Sequence, residues 1–293
     1  MKKVMAFALL SLVALALGCS NSTTNPRENV TVTTLIAGLE YPTGMWVRGG
    51  QVYFTETNGR NTAFGGKVAL SVYDTGSHVR RLLVDNPRNS DAVVIDADGD
   101  IYLASYHGAL PGDFGEVSMV DTATKVETHI VDIPIAAVDM YVDGIEDLYI
   151  IGPSDNPSAQ SAIVLRNGSY TIVEPLHQGL GRAQCLSKSG AIFYYSDPAS
   201  IKRFATGIFE VFSSKSAASI SFSPTYLFYS DHAGGKVGKI NVSTKVVTVL
   251  ASGLHAPTAV RWDEAQKKLY VLEGGTSAGE FKDGTLKVLT GIR

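Results

Sequence analysis

Along residues 30 to 293 apolar and polar residues alternate in short runs, and no stretch longer than ten residues keeps a 3.6-residue apolar period. A period of two sends successive side chains to opposite faces of a strand, so the pattern predicts an all-β chain. Val30 to Ile36 (VTVTTLI) is one such run. The turns between runs carry the glycines that tight hairpins require: Arg48-Gly49-Gly50, Ala97-Asp98-Gly99, Asp143-Gly144 and Lys188-Ser189-Gly190.

The runs recur as a phrase. Near the N-terminus the chain reads TVTTLIAGLEYPTGMWVRGGQVYFTE, and near the C-terminus VVTVLASGLHAPTAVRWDEAQKKLYVLE. Each is a strand, Gly-Leu, two residues, Pro-Thr, a second strand, a turn and a third strand closing on glutamate. Degraded copies occupy Ser90 to Ser105, Val138 to Ile151, Arg182 to Ser196 and Ala218 to Asp231, which makes six. Tyr53, Tyr102, Tyr149, Phe193, Phe228 and Tyr270 mark one position in each, 35 to 49 residues apart. That spacing accommodates four short strands with their turns, the unit of a propeller blade.

Counted from Glu273, the last repeat has room for one more strand, Thr285 to Leu289, whose counterpart after Glu56 is Lys67 to Tyr73, third in its blade. The last blade lacks a fourth strand, and the N-terminal Val30 to Ile36 is spare. The expected fold is a six-bladed β-propeller over residues 30 to 293, closed by the N-terminal strand completing the last blade. Such closure removes exposed sheet edges.

The composition, 45% hydrophobic and 18% charged, allows a large core. A formal charge of -3 without a Lys/Arg stripe excludes a nucleic-acid partner. Residues 1 to 19 read as a leader: Lys2 and Lys3, an apolar stretch from Val4 to Leu17, then Leu15-Ala16-Leu17-Gly18-Cys19. The stretch is short for a membrane span. It resembles a bacterial lipoprotein signal, which implies cleavage before Cys19 and lipidation of its thiol. Residues 20 to 29 (SNSTTNPREN) then form a flexible tether. By analogy with lipoproteins, Ser20 directs the chain to the outer membrane if the source is Gram-negative. Cys185 is the one other cysteine, so a lipidated chain contains no intrachain disulfide.

The phrase Gly-Leu-x-x-Pro-Thr, an apolar strand, and Leu-Tyr-Val-x-Glu resembles the NHL-repeat and TolB-like six-bladed propellers, as does Leu227 to Asp231 followed by GKVGKIN. The resemblance implies fold more than activity, since that architecture includes metal-dependent lactonases, quinone-dependent sugar dehydrogenases and binding modules. Its lactonase-like members hold a divalent ion with a glutamate, asparagines and an aspartate from different blades. Here Thr43 and Arg182 stand at inner-strand starts, and no asparagine occupies an aligned position.

In an antiparallel meander the start of each inner strand and the end of the next lie on one face of the ring. That places Glu56, Asp91, Asp139, Arg182, Asp231, His232 and Glu273 around one tunnel mouth. Glu56, Asp231 and Glu273 recur between blades, and repetition reads as architecture. Asp91, Asp139 and Arg182 do not recur and are the stronger ligand candidates. A metal, if held, would be Ca²⁺ on Glu56, Asp91 and Asp139. His107 is a second histidine at the mouth, and Asp96-Ala-Asp98-Gly-Asp100 reads as a hairpin turn, since the glycine and twelfth position of a calcium loop do not match. No Gly-x-Ser-x-Gly, His-Glu-x-x-His or Cys-x-x-Cys occurs. The sequence therefore predicts a monomeric, envelope-anchored module that binds an envelope protein or a small polar ligand, with a calcium-dependent lactonase or esterase as the alternative.

Overall fold

The computed structural model describes residues 28–57, 69–85, 87, 91–106, 115–133, 135, 137–143, 147–153, 160–166, 169–172, 184–205, 207–276 and 282–293. The leader with Cys19, most of the tether, His107 and Arg182 lie outside these residues. No helix occurs among them, so none is long and apolar enough to cross a membrane.

Twenty-four strands form four-stranded antiparallel sheets in a propeller arrangement. Strand β1 (Thr31–Leu39) precedes a sheet of β2 (Pro42–Arg48), β3 (Gln51–Glu56), β4 (Ala69–Asp74) and β5 (Val79–Asp85). The second comprises β6 (Ala92–Ile95), β7 (Ile101–Tyr106), β8 (Gly115–Asp121) and β9 (Val126–Ile133), and the third β10 (Asp139–Asp143), β11 (Asp147–Pro153), β12 (Gln160–Arg166) and β13 (Ser169–Ile172). The fourth comprises β14 (Cys185–Ser189), β15 (Ile192–Ser196), β16 (Ile201–Ala205) and β17 (Ile208–Ser213), and the fifth β18 (Ser219–Phe222), β19 (Tyr226–Asp231), β20 (Lys236–Asn241) and β21 (Val247–Ser252). These five sheets use consecutive strands. A further sheet is composite: β22 (Pro257–Asp263), β23 (Lys268–Glu273) and β24 (Gly284–Thr290) take β1 as their outer strand.

The core lies between sheets. Met45, Val52 and Phe54 pack on Ala259, Tyr270 and Leu272 across the first and composite sheets. Leu70 and Val84 meet Val93 and Leu103, while Val94 and Val117 meet Met140 and Ile150. Tyr149 and Ile151 meet Leu186 and Tyr195, Cys185 and Tyr194 meet Ile220 and Tyr229, and Phe228 and Val237 meet Val260 and Val271. Second strands such as β3, β15, β19 and β23 are thus largely buried on both faces, whereas β5, β9, β17 and β21 are largely exposed. Cys185 is buried, and burial pushes its thiol up to about 12, as befits an inert core cysteine.

The first hairpin turn places Gly49 and Gly50 at φ of 58° and 77°, the left-handed region that a tight β-hairpin turn favours. Strand β1 runs further than the sequence pattern indicated, to Leu39, because register shifts at Thr34/Ile36 and Ala37/Leu39 let it follow the twisted edge of β24. Gly284 marks the tightest point of this junction: a Cβ there would lie 2.8 Å from the carbonyl oxygens of both Leu39 and Glu273.

Lys239, 3% exposed, fastens the segment leading into β1 and the C-terminal residue to the fifth sheet by donating to the Glu28 carboxylate and the Arg293 carbonyl. Its ammonium sits 3.8 Å from the Tyr226 ring centroid, a cation–π contact that further offsets its desolvation. Deleting residues 28–39 should bare the β24 edge and lower the melting temperature by more than about 10 °C, given ~2–4 °C per kcal/mol in a domain of this size. Thermal unfolding followed by circular dichroism checks this, and an unchanged transition would contradict the role assigned to β1.

Candidate functional site: an axial cavity and a buried ion pair

Two of the predicted acids are committed to the scaffold. Glu56, at the end of β3, accepts the Glu40 N–H at 2.9 Å and pairs with Arg80. Glu273, at the equivalent end of β23, accepts the His255 N–H at 2.9 Å and bonds Thr285 and Lys287. Both N–H groups follow the Gly-Leu of the repeated phrase, so each glutamate ties a second strand to the segment entering its blade. Burial raises the Glu56 carboxyl above its ordinary value, against the opposing pull of the Glu40 N–H and Arg80.

Asp231 accepts the Gly234 N–H at 2.7 Å within the turn from β19 to β20, and His232 is exposed in that turn. Asp91 lies where the first two inner strands come close: a Cβ on Gly44 would meet the Asp91 carbonyl oxygen and the Val93 nitrogen at 3.1 Å. The carboxylate of Asp96 accepts the N–H groups of Asp98, Gly99 and Asp100 at 2.9–3.0 Å, the geometry of a hairpin turn.

Asp139 reaches across the ring to an arginine that the sequence pattern did not single out. Its Oδ1 accepts the Met140 N–H at 2.9 Å and Arg261 Nη2 at 3.2 Å, and its Oδ2 accepts the Leu186 N–H at 2.9 Å. Arg261 Nη1 bonds the Ser219 hydroxyl and the carbonyls of Ile220 and Val260, at 3.0 to 3.1 Å. Despite the guanidinium and the backbone N–H groups, burial holds the Asp139 carboxyl above its ordinary value.

Among the described residues, Glu56, Asp91 and Asp139 do not bring their donor atoms within 4.8 Å of one another, and the oxygens of Glu56 and Asp139 accept from N–H groups and cationic side chains. Among the described residues one trio, Glu116, His129 and Asp132, brings donor atoms within 4.8 Å of one another, on β8 and β9 away from the inner strands. Two carboxylates and an imidazole suit Ca²⁺ poorly, because that ion takes six to eight oxygens.

A cavity of about 170 Å³ opens among the inner strands, toward their ends and not their starts. Trp46, Tyr141, Lys188, Ser221 and Arg261 line it, with Trp262 and Phe222 beside them. The first five share one register position. They pair with Tyr53, Tyr149, Phe193, Phe228 and Tyr270, the aromatics that mark the repeat. The sequence therefore contained a signal for the lining: the residue across the hairpin from each repeat aromatic. Val94, opposite Tyr102, is the sixth such residue and is buried between sheets.

The wall side chains pack on one another. Trp46 packs edge-on to Tyr141 with centroids 6.1 Å apart, the Arg261 guanidinium lies 5.6 Å from the Trp46 ring, and Trp262 stacks on Phe228 at 4.7 Å. Lys188 pairs with Asp143 and lies over the Tyr149 ring. Burial works against its charge, but the Asp143 hydrogen bond outweighs it and the amine sits above its ordinary value.

Removing one partner of a buried pair strands the other, so Asp139→Ala should cost ~3–5 kcal/mol, and Asp139→Ala with Arg261→Met should recover most of it. Denaturant unfolding of the three chains measures both. Because folding raises the Asp139 value, its contribution to stability is complete below the ordinary carboxylate range and is lost as pH rises through the folded value. The melting-temperature difference between wild type and Asp139→Asn should therefore shift in favour of wild type as pH falls from about 7 to about 4. A difference independent of pH would refute that assignment.

No family model matches the chain, and no curated protein matches it. Solved structures with the same fold include regucalcin, a calcium-binding protein from Agrobacterium tumefaciens, at 15% identity, covering 87% of this chain and 92% of that one, TM-score 0.65. A luciferin-regenerating enzyme is 12% identical, with 90% and 96% covered and a TM-score of 0.70. The apo form of the soluble aldose sugar dehydrogenase from Escherichia coli is 14% identical, with 90% and 100% covered and a TM-score of 0.65. At these identities the chain is similar to them in fold alone.

Proposed function

We propose that this chain is a six-bladed propeller, closed by β1, that takes a small polar molecule into its axial cavity, and that it sits nearer to the enzyme-like propellers than to scaffolding modules. The blade count is supported by the strand pairing and by an apolar cluster at every junction between successive sheets, the composite one included. The observation that carries the functional reading is the axial cavity, a concave site with a few polar groups. Its size suits a small molecule, and a protein partner would need an extended surface.

The structural neighbours support the same direction: one is named a calcium-binding protein and two are named enzymes. They favour a metal-dependent hydrolase of small esters or lactones over a scaffold. The acids favour it less, since Glu56 and Asp139 are already bonded, and a metal would need other donors. The lipoprotein reading rests on Lys2, Lys3, the apolar stretch and Cys19, and places the protein on the bacterial cell envelope.

Elemental analysis of the full chain purified without chelator, with a panel of lactones and esters, tests the reading. Stoichiometric calcium and hydrolysis abolished by chelation would establish the hydrolase. Saturable small-molecule binding without turnover would leave a binding protein, and a chain that binds no small molecule but co-purifies with an envelope protein would overturn the proposal. Cys19→Ser should move the chain from the membrane pellet to the soluble fraction.

A further inference from the structure

Strand β9 of the second sheet departs from regular pairing. Val131 faces Val117 and His129 faces Ser118, which leaves Ile130 as an extra residue between them. Successive residues of a strand alternate between faces, so positions three apart belong on opposite sides; one inserted residue puts His129 and Asp132 on the same side. Glu116 shares that side, because Asp132 is its direct partner across the ladder. Three side chains of metal-ligating type from two strands thus converge, with donor atoms within 4.8 Å of one another.

The bulge is architecture, and the residues placed on it are not. The same shift recurs between the outer two strands of the first, fourth and fifth sheets, at Leu70/Ser71, Ile201/Lys202 and Val237/Gly238. There the position of His129 is held by Leu82, Val211 and Val249, exposed aliphatic residues that offer no ligand atom. A histidine at this place is therefore not something the blade requires.

Two further observations point to a bound cation. Glu116, 8% exposed, stands directly opposite Asp132, and like charges so placed destabilise a sheet, a cost that a divalent ion between them reverses. His129 Nε2 lies 3.3 Å from Asp132 Oδ1. Two ligands of one tetrahedral ion, each bonded at about 2.0–2.1 Å, stand about 3.3 Å apart. An imidazole with two carboxylates is a donor set that zinc accepts, and three protein ligands leave the fourth position to water. The side chains of His129 and Asp132 are 36% and 81% exposed, so an ion can enter from solvent.

We infer that Glu116, His129 and Asp132 form a site for a divalent transition ion, Zn²⁺, on the outer strands of the second sheet. That sheet contributes nothing to the lining of the axial cavity, so the site is independent of the small-molecule reading above. The full chain, stripped with chelator and dialysed, should take up one equivalent of Zn²⁺ in a calorimetric titration, and Zn²⁺ should raise its melting temperature. His129→Ala and Asp132→Asn, both at exposed side chains, should each weaken uptake tenfold or more and abolish the thermal shift; should either variant not fold, the other decides. His232→Ala, in an exposed turn elsewhere, should bind like wild type, and excess Ca²⁺ should not displace the zinc.

Lack of stoichiometric uptake, or uptake undiminished in His129→Ala and Asp132→Asn, would overturn the site. An equal loss in His232→Ala would show adventitious binding to surface histidines and overturn it as well. Displacement of Zn²⁺ by Ca²⁺ would overturn the transition-ion class.

Discussion

Each sheet packs its inner and second strands into an apolar cluster on either side, and that constraint shapes the rest. A sheet of this kind cannot end in water; each must lie between two others, and only a closed arrangement supplies a neighbour to all. The pairing of β1 with β24 completes the composite sheet at the place where the first strand meets the last. Closing so long a loop is entropically mild, since each doubling of loop length costs only about 0.6 kcal/mol. The junction is secured without a disulfide, by strand pairing, by Leu39 buried against the last sheet, and by Lys239 holding Glu28 and the Arg293 carbonyl together.

Radial packing has a consequence at the axis. The clusters occupy the spaces between sheets, so the centre is lined by the few side chains that five of the inner strands turn toward it. The repeat keeps the aromatic on the second strand nearly constant, as Tyr or Phe, because it packs between blades. The residue opposite is free to vary, and it does: Trp46, Val94, Tyr141, Lys188, Ser221 and Arg261. Architecture is repeated and chemistry is not, and in this chain the two occupy facing positions on the same hairpins.

That division explains what the sequence could and could not reveal. Strands, their turns and the N-terminal strand's place beside the last one follow from local periodicity and from the phrase at each end of the chain. The recurrence of Glu56 and Glu273 pointed to a structural duty, and their bonds to Glu40 and His255 have that character. The partner of Asp139 was not legible. Arg261 lies 122 residues away on a strand across the ring, and no register relation links them. Alignment on strand starts favoured Arg182, because it weighed the mouth and overlooked the middle of the inner strands. A search of the positions opposite the repeat aromatics would have found Arg261 and Lys188 together.

The buried pair itself is a tie between sheets. Arg261 anchors Asp139, the hydroxyl of Ser219 and two backbone carbonyls, and so joins the third, fifth and composite sheets near the axis. An apolar pair could fill that space at equal or better stability, because desolvating two charges offsets most of their attraction. Stability alone therefore gives no reason for an arginine here. What it supplies is specificity of arrangement, since one guanidinium bonded to a carboxylate, a hydroxyl and two carbonyls fixes how three sheets meet at the axis.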